Sequence, residues 1–186
     1  MEFKKFLLEK KLPSFLGICL LLFFFRYIPH PPNFTPVIAF AMYVPIIFGF
    51  WSIPFLILGY AITDFFIGFH SLLIWTWGSL AFIAILCKFS NGTVSRIVLS
   101  LLGALGFFII SNFGVWVGSS FYEPNVQGLI KCYILAIPFF TNTLISTLLF
   151  SSLFEIFLKY RIFFTSSKFR KVSWIFYHLI YILFLT

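Results

Sequence analysis

The sequence predicts an all-α membrane protein, a polytopic bundle of about six transmembrane helices with both termini cytoplasmic and an interfacial C-terminal helix behind it. Three observations predict it. Of 186 residues, 61% are hydrophobic and 10% charged, and the mean hydropathy is +1.07, whereas about a quarter of a soluble domain's residues carry charge. The apolar residues are gathered into six runs, and crossing a hydrocarbon core of about 30 Å takes about 20 such residues. Lysine and arginine are concentrated in alternate connectors. This composition also excludes a disordered chain, a disulfide scaffold and a nucleic-acid-binding module, so the net charge of +8 is read through its positions.

Lys4, Lys5, Lys10 and Lys11 precede the first run, residues 12–27, which no small-residue cleavage site follows; it is expected as a first span rather than a signal peptide. His30-Pro31-Pro32-Asn33 is loop, because adjacent prolines remove backbone donors and hold the preceding residue extended. The second run, 34–48, ends at Gly49-Phe50-Trp51-Ser52, and the third, 53–69, contains Pro54 and Asp64. The fourth, 72–87, opens with Trp75 and Trp77 and stops at Lys88, ahead of the turn residues Ser90-Asn91-Gly92-Thr93. Ser100, Gly103, Ala104 and Gly106 in the fifth run, 97–116, let a neighbouring helix come close. The sixth, 129–158, is long enough to span with tilt or with a kink at Pro138. These runs make residues 1–160 a transmembrane domain. Residues 161–186 are then a basic cytoplasmic tail whose apolar stretch, 172–185, is short and follows Lys168, Arg170 and Lys171, as in an interfacial helix. Cys19, Cys87 and Cys132 show no metal or disulfide spacing and are expected as apolar packers.

Six spans place Lys4 to Lys11, Lys88 with Arg96, and Lys159 to Lys171 on one side; the opposite connectors have only Arg26 and Lys131 at their edges. The positive-inside rule makes the first side cytoplasmic. Polar and aromatic residues then collect toward the outer face: Asn33 and Thr35 near the first outer loop, Asp64 and His70 at the outer end of span three, Trp75 at the start of span four, Asn112 and Trp116 at the end of span five, and Tyr133 and Asn142 in span six. These nine are the candidate substrate-binding residues. Trp75 and Trp116 also suit an interfacial aromatic belt, and Asn33 and Asn112 also suit the satisfaction of loop backbone. Asp64 carries more weight, since a carboxylate inside a span costs roughly 2.5 to 3.5 kcal/mol and usually faces a cavity, a partner or a pathway; the alternative is a buried hydrogen-bond hub. No HExxH, GxSxG or Walker motif is present, so neither an enzyme nor a cofactor or metal site is expected, and ATP-driven uptake would need a partner.

The strings Asn33-Phe34-Thr35-Pro36, Asp64-Phe65-Phe66-Ile67-Gly68-Phe69-His70, Ser111-Asn112-Phe113-Gly114-Val115-Trp116 and Ala136-Ile137-Pro138-Phe139-Phe140-Thr141-Asn142-Thr143 resemble a family of small bacterial six-span membrane proteins. That family is in turn remotely similar to the substrate-binding S components of energy-coupling-factor vitamin transporters. The resemblance implies a location in the bacterial cytoplasmic membrane, a small-molecule substrate bound near the outer face, and partnership with a membrane coupling subunit and two ATPases. The expected function is that of a substrate-binding subunit for uptake of a small heteroaromatic, vitamin-like molecule. A structural or assembly protein without a small-molecule ligand is the alternative.

Overall fold

The computed structural model describes residues 11–69 and 72–165. The basic residues ahead of Lys11, His70 and the interfacial tail helix lie outside them. Among the described residues the structure is all helical: α1 (Lys11–Tyr27), α2 (Val37–Phe48), α3 (Ser52–Ile67), α4 (Leu73–Leu86) continued by a 3-10 turn (Cys87–Phe89), α5 (Thr93–Gly118) and α6 (Val126–Thr165). Each apolar run is one helix, and each connector coincides with the proline, glycine or polar cluster that interrupts the pattern. The chain divides into two compact units, Met1–Ser151 and Ser152–Thr186. In the second, residues 152–165 are helical.

Among the described residues, two helices are long and apolar enough to cross a membrane: Thr93–Gly118, with 26 residues, and Val126–Tyr160, with 35. At 1.5 Å per residue these reach about 39 Å and about 52 Å, beyond the roughly 30 Å of a hydrocarbon core. The helix α2 is different in kind. Its 12 residues reach only about 18 Å, yet every side chain from Val37 to Pro45 is buried, because α1, α3, α4 and α5 all pack against it. A helix apolar on all sides and enclosed by other helices needs no length to cross anything. The surrounding helices keep large apolar side chains exposed on their outer faces, among them Leu20 and Phe24 on α1, Ile62 and Phe65 on α3, Ile74 on α4 and Leu102 on α5. Exposed apolar surface on this scale is foreign to a monomer in water.

Small residues bring α5 against α4 as their spacing suggests: a Cβ at Gly103 would lie 3.1 Å from Ile83 Cγ2. On α6, the completely buried hydroxyls of Thr147 and Ser151 have no hydrogen-bond partner among the described residues. Thr147→Val keeps the side-chain volume and removes the unpartnered hydroxyl, whose burial costs about 1 to 3 kcal/mol. It is expected to raise the melting temperature of the detergent-solubilised protein by a few degrees; an unchanged or lower value would mean that the hydroxyl is hydrogen-bonded in solution.

Candidate functional site

Arg26 lies in the last turn of α1, and Thr63 and Asp64 lie in the last turns of α3. Because α1 packs on α3, residues 38 positions apart meet at one end of the bundle. Arg26 Nη2 donates to Asp64 Oδ1 at 2.6 Å. Arg26 Nη1 donates to the Tyr60 carbonyl at 3.3 Å and to the Thr63 hydroxyl. The guanidinium also sits over the Tyr60 ring, with Cζ 3.9 Å from its centroid, a favourable cation–π placement. From α4, Trp77 Nε1 donates to Asp64 Oδ2 at 2.8 Å. Both carboxylate oxygens are therefore engaged, and Asp64 is only 1% exposed. Asp64 turns its charge inward onto Arg26; the group it presents to open space is the guanidinium.

That space is a pair of chambers of about 250 Å³ and 350 Å³, which meet along Arg26, Asn33, Tyr60, Phe107 and Thr143. The first extends past His30 and Thr35. His30 Nδ1 lies 2.8 Å from the Pro31 carbonyl; a carbonyl only accepts, so this nitrogen is the donor. The second chamber runs between α4, α5 and α6, past Thr76, Asn112 and the rings of Phe108 and Phe140, which stack with centroids 4.5 Å apart. Many of its polar side chains are spent on their own helices: Thr76, Ser111, Asn112 and Thr143 each donate to a carbonyl three or four residues back. The three hydroxyls thereby keep only oxygen lone pairs for the cavity, while Asn112 keeps its amide oxygen and one N–H.

Of the nine residues expected at a site, Asn33, Thr35 and Asn112 line the chambers. Asn33 reaches its place through a left-handed backbone, φ 62°, which asparagine tolerates. Asp64 stands one layer behind, under Arg26. The other placements are elsewhere. Trp75 packs edge-on against Phe113 and occupies the notch left by Gly114. Trp116 Nε1 donates to the Glu123 carbonyl at 3.0 Å, Tyr133 ties α6 to α5 through the Ile109 carbonyl at 2.7 Å, and Asn142 ties α6 to the first loop through the Pro32 carbonyl at 3.0 Å. None of these four lines either chamber; Trp75 packs helices together through its ring, and the polar atoms of the other three join helices and loops. His70 lies outside the described residues.

Sequence reasoning missed Arg26 and Tyr60. The signal for Arg26 was its breach of the charge rule, an arginine at the outer edge of an apolar run with a lone acid, Asp64, at the same depth. Tyr60 lies one helical turn before Asp64, on the same face.

The family of unknown function DUF6580 matches residues 7–171. The chain belongs to this family. Its matched span takes in all six helices and every residue lining the two chambers. No curated protein and no solved structure matches the chain.

Proposed function

We propose that this member of the family is a multi-pass protein of the bacterial cytoplasmic membrane that binds a small heteroaromatic, vitamin-like molecule from the outside, as the substrate-binding subunit of an uptake system. The observation that carries this is the pair of chambers at the end of the bundle reached by the α1–α2, α3–α4 and α5–α6 connectors. Those are the connectors poor in lysine and arginine, which the positive-inside rule turns outward. All six helices then belong to the membrane, α2 as an enclosed plug and the other five around it. Aromatic walls with a few placed polar groups suit a flat heterocycle, and the combined space falls in the range of small-molecule sites. The chain has no nucleotide-binding motif, so ATP-driven uptake would draw on a membrane coupling subunit and two ATPases.

A second reading, a structural or assembly protein, has its own observation: Trp75, Trp116, Tyr133 and Asn142 all serve contacts between elements. One experiment separates the two. Asn33→Cys in spheroplasts should react with a membrane-impermeant maleimide above the background of the three native cysteines, and Asn91→Cys should not. Riboflavin, thiamine and simple pterins are then tested for protection of the cysteine at position 33. Outside labelling at position 91 would reverse the orientation, and protection by none of the compounds would favour the structural role.

A further inference from the structure

The polar end of the cavity is built by one cation whose charge is already compensated. Asp64 sits 2.6 Å from Arg26 and is 1% exposed, so the pair brings no net charge to the chambers. The guanidinium has five N–H donors, and the contacts to Tyr60, Thr63 and Asp64 use three of them. The Nε–H and one Nη2–H have no partner among the described residues. Beside them is the Tyr60 side chain, 7% exposed and lining both chambers. Its hydroxyl takes part in no hydrogen bond among the described residues.

We infer that the ligand is an uncharged heterocycle with a ring-carbonyl or amide edge, which accepts from the free N–H groups of Arg26 and hydrogen-bonds the Tyr60 hydroxyl. The inference rests on the proposed uptake role and narrows its ligand class. Its physical basis is the charge balance. A carboxylate ligand would form an acid–arginine–acid triad with one uncompensated negative charge in a cavity of mixed lining that shields it in part from water. A cationic ligand would face the donor edge of a guanidinium. Desolvating an unpaired charge costs several kcal/mol, whereas a neutral acceptor takes up the same donors without that penalty. Phe108 and Phe140, already stacked on one another in the wall of the second chamber, supply faces for the ring.

The test uses the purified full chain in detergent and a matched pair of probes, 6-hydroxymethylpterin and pterin-6-carboxylate, with riboflavin as a second neutral ring and thiamine as the cation. The neutral rings should bind, and the carboxylate partner of the pair should bind at least about tenfold more weakly. Tyr60→Phe retains the ring beneath Arg26 and removes only the hydroxyl. It should melt like the parent protein and lose about tenfold in affinity for the neutral probe. Arg26→Lys keeps a cation beside Asp64 but lacks the second donor edge, and should weaken the neutral probe by a similar factor. Preference for the carboxylate or for thiamine, or unchanged affinity in Tyr60→Phe and Arg26→Lys alike, would overturn the inference and leave the uptake role standing. Failure of every probe to bind would overturn the uptake role itself.

Discussion

Asp64→Ala is expected to destabilise the protein by about 3 to 5 kcal/mol, the range found when one member of a buried ion pair is removed and the other is left uncompensated. The stranded group is Arg26, which also loses the anchor that holds it over the Tyr60 ring. Trp77 loses its acceptor in the same substitution. The double variant Arg26→Leu with Asp64→Leu removes both charges, and should recover most of the loss, since apolar replacements of similar volume are commonly tolerated where the pair was. From sequence, Asp64→Asn is expected to spare folding and reduce only binding. The structure changes that expectation: two donors approach the two carboxylate oxygens, and an amide offers one oxygen and an NH2 group that would meet a donor. Asp64→Asn should therefore also melt below the parent protein. Thermal melting in detergent for the parent, Arg26→Leu, Asp64→Leu and the double variant measures the coupling; a cycle that closes with no coupling would show that the pair does not hold α1 to α3.

Gly128→Ala should cost about 1 to 3 kcal/mol, as overpacking of a filled site does, although alanine is the better helix former. A Cβ there would run into the Glu123 carbonyl oxygen, a backbone atom with no side-chain torsion to relieve it. The surrounding loop is tied together at the start of α6. Asn125 Oδ1 accepts from the Gly128 N–H at 2.8 Å in the manner of an N-cap, Asn125 Nδ2 donates to Glu123 Oε2 at 2.8 Å, and Trp116 holds the Glu123 carbonyl from α5. Displacing that carbonyl should thus also move the Trp116 indole, which near-ultraviolet circular dichroism reads. Gly78, in α4, is the control: nothing lies within 4 Å of a Cβ there, so Gly78→Ala should be neutral or stabilising by up to about 1 kcal/mol. Equal melting temperatures for Gly128→Ala and Gly78→Ala would mean that the α5–α6 loop yields to the added methyl.

The division of the connectors into those rich and those poor in lysine and arginine, and the gathering of polar groups toward one end, could be read along the chain, because both depend on position within a helix and not on rotation about its axis. The lining of the chambers depends on rotation. Asn112 points into the second chamber while Trp116, one turn on, reaches to the Glu123 carbonyl. Thr143 lines both chambers, and its neighbour Asn142 binds the Pro32 carbonyl. An amphipathic helix in a soluble protein announces its inward face by its polar one. Here the contrast is inverted: the buried positions of α3, Ser52, Leu56, Tyr60, Thr63 and Asp64, carry its polar groups, while the outward-facing Ile62 and Phe65 are apolar, so taking the polar side as the outward one assigns the wrong face.

The six helices and their breaks were legible along the chain, since apolar runs interrupted by Pro31-Pro32, Gly49, Gly68, Gly92 and Pro124 leave the backbone few other ways to satisfy its hydrogen bonds. The sequence also singled out Asp64, because an acid among apolar residues must be compensated by something. What compensates it emerges from the packing of the helices. Arg26 and Trp77 come from other helices, 38 and 13 residues away, and α2 is the centre of the bundle because four helices close around it. Those outcomes follow from which helix faces pack together, and that choice is made by side-chain shape and by the pairing of a few charges across helices, which no single stretch of chain encodes.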